Sequence, residues 1–213
     1  MQTWWKLLDR QMKGVERVLG MDEVGRGPLA GPVCVAGVIL PKKHGIKGLN
    51  DSKMLTEAKR EELFVQIMEK GECWVKMESN RRIDKDGIAV CIRRMMLQIA
   101  KQAQPDFLFC DAMTVNMRDI PQIALTKGDM KVDCIAAASI IAKVTRDRLM
   151  VEMDQKYPGY GLAGHKGYGT KEHRDAIGER GVTKIHRVSF CRNIDKGDLG
   201  NRREKNPHFM RSF

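Results

Sequence analysis

Two carboxylates stand side by side at Asp22 and Glu23, directly after the apolar run Val18-Leu19-Gly20-Met21 and directly before a glycine-rich turn, Val24-Gly25-Arg26-Gly27-Pro28-Leu29-Ala30-Gly31-Pro32. Adjacent side chains of a strand point to opposite faces, so only one of the pair lies squarely in a site. The other reaches it if the backbone bends, which Gly25 and Gly27 permit. Asp111 ends a second apolar run, Phe107-Leu108-Phe109-Cys110, and α/β sheets gather their ligands at such strand ends. Asp129, in Lys127-Gly128-Asp129, stands shortly before the apolar segment from Cys134 to Ala142. Four carboxylates so placed are hard oxygen donors suited to two Mg²⁺ or Mn²⁺ ions. Two such ions, roughly 4 Å apart, activate a water and stabilise the leaving oxygen of a phosphodiester. Taken singly, Asp111 reads equally well as a solvated strand end, and Asp129 as a loop acid. The ensemble points to chemistry.

A competing pattern overlaps the first acids. Gly25-x-Gly27-x-x-Ala30 matches a dinucleotide-binding fingerprint, with Asp51 about 20 residues on as the ribose acid. That motif requires a helix to open after the glycines. Pro28, Gly31 and Pro32, followed by Val33-Cys34-Val35-Ala36-Gly37-Val38-Ile39, predict a strand instead. A nicotinamide oxidoreductase is disfavoured on that ground.

The elements that must position these groups follow from periodicity. Strands are predicted over 17–24 and 32–40, then a polar loop over 49–55. Thr56 is the N-cap of a helix to Lys70, with Leu63, Phe64, Ile67 and Met68 as its apolar face and Gly71 as its stop. A strand over 72–79 precedes one helix over 83–102, on which Ile88, Ile92, Met95 and Ile99 share a face. Short strands over 106–111 and 121–125 lead into a helix over 135–153. The chain is then loop-rich from 157 to 169, before a helix over 171–179. Strands first, with helices interleaved, give the α/β class with a mixed sheet. No repeat or linker divides the chain. One domain over 1–213 is expected, with an N-terminal segment of about 1–16 and a basic, loosely ordered tail over about 191–213.

Composition narrows the setting. Charged residues are 31% and apolar ones 42% of the 213, which argues against a disordered tail. The longest apolar stretch, Cys134 to Ala142, falls far short of the roughly 18–20 residues that span a bilayer. The N-terminus lacks an uninterrupted apolar segment and a small-residue cleavage site, so no export signal is read there and the cytoplasm is expected. The six cysteines (34, 73, 91, 110, 134, 191) show no C-x-x-C spacing and suit small buried hydrophobes in a reducing compartment. The histidines show no zinc spacing. His165 and His173 flank Tyr168 and read as caps, hydrogen-bonding groups or phosphate contacts. Trp4 and Trp5 read as part of a helix packed on the domain. The net charge of +11 is concentrated in the last third of the chain, a surface that attracts polyanions and releases their counterions. A non-catalytic nucleic-acid-binding module is therefore the alternative to a metal-dependent nuclease.

Six ordered blocks make a family resemblance. They are Asp22 to Val33, Asn50-Asp51-Ser52-Lys53, Lys127-Gly128-Asp129, Ile135 to Asp147, His165 to His173, and His186-Arg187-Val188-Ser189-Phe190. Over nearly its whole length the chain resembles the bacterial type 2 ribonucleases H, the ribonuclease HII family. The resemblance implies an RNase H-like fold, a central mixed sheet flanked by helices with a helical and loop C-terminal extension. It also implies hydrolysis of RNA in RNA–DNA hybrids and incision 5′ of single ribonucleotides in DNA, with two Mn²⁺ or Mg²⁺ ions and a monomeric enzyme.

Carried over position by position, the family's metal-binding carboxylates fall on Asp22, Glu23, Asp111 and Asp129. The motif that grips the ribose 2′-OH falls on Gly25, Arg26 and Gly27, and the tyrosine that senses the following sugar falls on Tyr168. By itself Tyr168 reads as a packed loop aromatic. Lys53, Ser139 and Lys143 fall on positions that resemble phosphate contacts. Two departures stand out: Val24 replaces the more usual alanine, and Cys110-Asp111-Ala112 replaces the common Val-Asp-Gly. The related ribonuclease HIII carries an N-terminal domain ahead of the acidic pair, and the short segment before Asp22 disfavours that branch.

Overall fold

The structure, a computed structural model, describes residues 1–8, 14–117, 119–192 and 194. A short helix α1 (Trp4–Leu8) precedes the antiparallel strands β1 (Val18–Val24) and β2 (Val33–Ile39). Helix α2 (Glu57–Lys70) follows a single 3₁₀ turn at Ser52–Met54. Strand β3 (Glu72–Glu78) then leads into α3 (Asn80–Asp86) and α4 (Ile88–Ala103). Strands β4 (Phe107–Asp111) and β5 (Gln122–Leu125) precede a 3₁₀ turn at Gly128–Met130 and the long helix α5 (Asp133–Lys156). Helices α6 (Leu162–His165), α7 (Lys171–Arg180) and α8 (Val188–Cys191) close the described chain. The five strands form one mixed sheet in the order β3-β2-β1-β4-β5. The pairs β1–β2 and β2–β3 are antiparallel, and β1–β4 and β4–β5 are parallel.

Each face of the sheet carries a helix. Leu19, Met21, Val33 and Val35 pack with Ile92, Met95, Met96 and Ile99 of α4 on one side. Cys34, Ala36 and Val38 pack with Ala137, Ile140 and Ile141 of α5, and with Leu63 and Ile67 of α2, on the other. The alanine-rich start of α5 lets it lie close to β1. Gly20 completes the fit, because a Cβ there would sit 2.3 Å from the main-chain carbon of Cys134. The functional strand and the helix bearing Ser139 are thus locked main chain to main chain.

Caps and stops follow the sequence reading in most places. Thr56 accepts the Lys59 N–H at the start of α2, and Gly71 closes it. The predicted apolar face of α2 is only partly buried: Leu63 and Ile67 are in the core, whereas Met68 is 51% exposed. The single helix predicted over 83–102 is two. Gly87 stands between α3 and α4 at φ 84°, a left-handed conformation that interrupts the hydrogen-bond ladder. Helix α5 is longer than predicted, and α6 lies in the segment read as loop. Trp4 is buried as expected: its N–H and that of Cys134 both donate to Asp133 Oδ1, and its indole donates to the Leu40 carbonyl at 3.0 Å. The cysteines are free, and all but Cys73 are buried. Among the described residues no helix is long and apolar enough to cross a membrane. Of the basic tail expected over about 191–213, Cys191 ends α8, and all but residues 191, 192 and 194 lie outside the described residues.

The Gly20 contact is testable. Gly20→Ala must push two backbones apart and should lower stability by about 2–3 kcal/mol or more. Gly178→Ala, in α7 with open space at the Cβ position, should raise it by about 0.5–1 kcal/mol. Urea midpoints of the two variants check both signs.

Candidate active site

Strand β1 delivers Asp22 and Glu23 to one end of the sheet, and its parallel neighbour β4 delivers Asp111 to the same end. Met21 pairs with Cys110, so the acids occupy the next positions of the two strands. Asp111 Oδ1 accepts the Gly128 N–H at 2.8 Å, which ties β4 to the turn carrying Asp129. Ala112 and Lys127, at φ 56° and 55°, are non-glycine residues in the left-handed region on either side of this link. The acids Asp22 and Glu23, with Val24, Ser52, Lys53, Ser139, Lys143 and Tyr168, line an open cleft of about 300 Å³. Both members of the acidic pair reach the cleft because the strand ends there and the turn begins.

The carboxylates are poorly compensated. Burial pushes Asp22 up to about 8, with the neighbouring Glu23 charge adding to it and a hydrogen bond from Ser139 opposing it. Burial also raises Glu23, against the Arg26 guanidinium whose Nη1 lies 3.0 Å from Glu23 Oε1. The other oxygen, Glu23 Oε2, is buried without a hydrogen-bond partner. Burial raises Asp129 to about 6, helped by Asp51 and Asp111 and opposed by Lys53. A buried all-oxygen donor set with excess negative charge and an unpartnered carboxylate oxygen fits a hard divalent cation. Among the described residues, no three of these side chains close onto one point as a finished metal cage.

The remaining expected residues are placed as follows. Ser139 Oγ lies 2.9 Å from Ser52 Oγ, so this hydroxyl joins α5 to the loop bearing Lys53. Lys143 forms an ion pair with Asp147 one turn on, at 2.8 Å. Tyr168 is 37% exposed at the cleft edge. Arg26 turns its guanidinium to Glu23. His165 and His173 are hydrogen-bonding groups of the tyrosine loop. Their rings stack at 4.3 Å, His173 Nδ1 meets the Tyr168 carbonyl at 3.0 Å, and His173 Nε2 meets His186 Nε2 at 3.1 Å.

Three residues escaped sequence reasoning. Asp51, weighed only as a ribose acid, adds a fifth carboxylate beside Asp129. Arg146 and Arg187 are fully buried and bind main-chain carbonyls. Arg146 donates to Ala30, Pro32 and Lys166, and its guanidinium carbon lies 5.8 Å from the Tyr168 ring centroid. Arg187 donates to Gly25, Arg26 and Gly31. A signal existed for Arg146: Ala138, Ala142, Arg146 and Met150 recur every fourth residue, one stripe along the helix, and all are buried.

A family profile described as Ribonuclease HII matches residues 19–193. The chain belongs to the ribonuclease HII family. It is 50% identical over 197 residues to the ribonuclease HII of Geobacillus thermodenitrificans, covering 89% of this chain and 76% of that protein. It is 49% identical over 185 residues to that of Acetivibrio thermocellus, covering 85% and 72%. The crystal structure of ribonuclease H2 from Pyrococcus horikoshii superposes with a TM-score of 0.68 at 26% identity, covering 84% of this chain and 97% of that one. The protein is accordingly an endoribonuclease of the ribonuclease H class, and its fold is the one expected.

The two buried arginines hold the family's glycine turn and tyrosine loop together. Arg146→Leu leaves three carbonyls without their donor and should cost about 3 kcal/mol or more. A lowered melting temperature and faster proteolysis within residues 161–169 are expected; unchanged melting would remove Arg146 from this role.

Proposed function

We propose that this protein hydrolyses the RNA strand of RNA–DNA hybrids and incises on the 5′ side of single ribonucleotides in duplex DNA, leaving 3′-OH and 5′-phosphate ends. What supports the reading is that Asp22, Glu23 and Asp111 stand at one end of the sheet, with the turn bearing Asp129 hydrogen-bonded to Asp111 and the Gly25-Arg26-Gly27 turn directly following β1. These four acids would hold two divalent ions, Mn²⁺ or Mg²⁺. Bound there, such ions supply activation of water and charge stabilisation at the leaving oxygen.

The chain's own groups do the rest. The Glu23 N–H donates to Asp22 and the Gly128 N–H to Asp111, and Ser139 lies beside Asp22 in the cleft. Lys53 and Lys143, beside the acids in the cleft, would attract the phosphates on either side of the scissile bond, with Ser139 within reach of the same backbone. Carboxylates and cations meet phosphates, which RNA and DNA share, so the choice between them falls to groups that meet the sugar. The main chain of the Gly25-Arg26-Gly27 turn would bind the 2′-OH, the one group that separates the two polymers. The Tyr168 ring, held by its histidine-braced loop, would pack on the next sugar. We take the chain as one catalytic unit, acting as a monomer in the cytoplasm, with the basic tail adding polyanion affinity.

Two experiments test this reading. Asp22→Asn and Asp129→Asn should each leave less than about a tenth of the turnover, a barrier increase above 1.4 kcal/mol, while duplex binding survives. Retention of more than that excludes the residue as an essential ligand. The wild type should cut a duplex with one ribonucleotide and spare the all-DNA duplex, since a site built to bond a hydroxyl rejects its absence by about 10⁴ or more. Tyr168→Ala should lose most of the single-ribonucleotide activity with folding intact; wild-type rate and cutting position in that variant would contradict the assignment.

A further inference from the structure

Arg187 makes an unusual use of a buried charge. Its guanidinium donates Nη2 to the Gly25 carbonyl at 2.7 Å, Nη1 to the Arg26 carbonyl at 3.0 Å and Nε to the Gly31 carbonyl at 3.0 Å. None of these hydrogen bonds goes to a carboxylate. Burial, with the like charge of Arg146 nearby, draws its pKa down to about 10. An uncompensated buried cation is costly, and a well-packed apolar side chain often serves a core as well or better. The charge therefore needs a task beyond filling space.

The turn above it shows the task. No cis peptide is present among the described residues, so the C=O and N–H of each peptide unit point in opposite directions. Arg187 draws the Gly25 and Arg26 carbonyls inward, which turns the N–H groups of Arg26 and Gly27 outward. Both residues are exposed, and neither N–H donates to a main-chain carbonyl among the described residues. Gly25 lets the turn pack on the neighbouring arginine: it sits at φ 92°, and a Cβ there would lie 2.4 Å from Arg146 Nε. A cationic donor on a carbonyl also polarises the whole peptide unit and strengthens the N–H at its other end.

We propose that Arg187 is the positioning residue for sugar recognition: from beneath the turn it aims and polarises the Arg26 and Gly27 N–H groups toward a ribose hydroxyl. This rests on the reading that the turn meets the 2′-OH. The side chain itself never touches substrate. It acts through two peptide planes.

The test compares Arg187→Lys and Arg187→Gln with the wild type on a duplex carrying one ribonucleotide, in Mn²⁺, with the all-DNA duplex as a competitive inhibitor. The kcat/KM for the ribonucleotide duplex should fall about tenfold to hundredfold, the range for loss of a charge-assisted hydrogen bond. The inhibition constant of the all-DNA duplex should stay within about threefold, because phosphate contacts dominate it. Arg187→Lys, which keeps the charge, should recover part of what Arg187→Gln loses. An unchanged kcat/KM overturns the proposal, as does a weakening of inhibitor binding in step with kcat/KM, the mark of a merely structural role. If neither variant folds, the wild-type protein decides. Through-hydrogen-bond NMR couplings from the Arg187 guanidinium nitrogens to the Gly25 and Arg26 carbonyl carbons are expected, and their absence overturns the proposal. A wild type that cuts both duplexes equally defeats the reading of the turn and this proposal with it, before any substitution is made.

Discussion

Negative charges crowded into a half-buried cleft repel one another, and the design of this protein turns on that repulsion. Asp22 and Asp129 are each 6% exposed, and Glu23 and Asp111 stand beside them at the same end of the sheet. Burial and mutual charge raise the protonation constants of Asp22, Glu23 and Asp129 together. Among the described residues, the positive charges opposing this are those of Arg26 and Lys53, with Ser139 and the Glu23 N–H acting against it at Asp22. A fold gains nothing from such an arrangement unless something positive joins it. On the proposed reading the compensating charge is a pair of divalent ions, and the repulsion among the acids becomes affinity for them.

Holding the acids there demands a stiff frame. Gly20 lets α5 lie directly on β1, so the strand end cannot retreat from the helix that carries Ser139. The parallel pairing of β1 with β4 places Asp111 next to Asp22, and one hydrogen bond passes that order on to the Asp129 turn. The glycine turn and the tyrosine loop lie at the other edge of the cleft. The Leu29 N–H donates to the Gly167 carbonyl and the Arg187 N–H to the Leu29 carbonyl, while Arg146 and Arg187 fill the layer beneath. The acids and the tyrosine loop are therefore joined through one hydrogen-bonded layer, although they come from segments more than a hundred residues apart.

Much of this was legible in the sequence, for physical reasons that differ by element. The strands and α2 are readable because short apolar runs bounded by glycine and proline, a threonine cap and a terminal glycine act locally. The acids were readable because charge at the end of an apolar strand violates the pattern around it. The periodicity of Ile88, Ile92, Met95 and Ile99 lies wholly beyond Gly87, so it locates α4 and does not show where the preceding turn of helix breaks off. The exposure of Met68 was missed because periodicity shows which face is apolar, not how much of it a neighbour covers. Arg146 and Arg187 were read as part of a basic surface. Their true setting depends on carbonyls contributed by distant turns, which no local pattern encodes. Asp51 carries no role in the sequence for the same reason: only the folded chain brings it to Asp129.

Where cations bind decides the role of the acidic cleft. Crystals soaked in Mn²⁺ should show anomalous scattering peaks between Asp22, Glu23, Asp111 and Asp129, and Asp22→Asn should remove or weaken them. Peaks confined to other acids, or none in the cleft at millimolar Mn²⁺, would contradict the proposed reading.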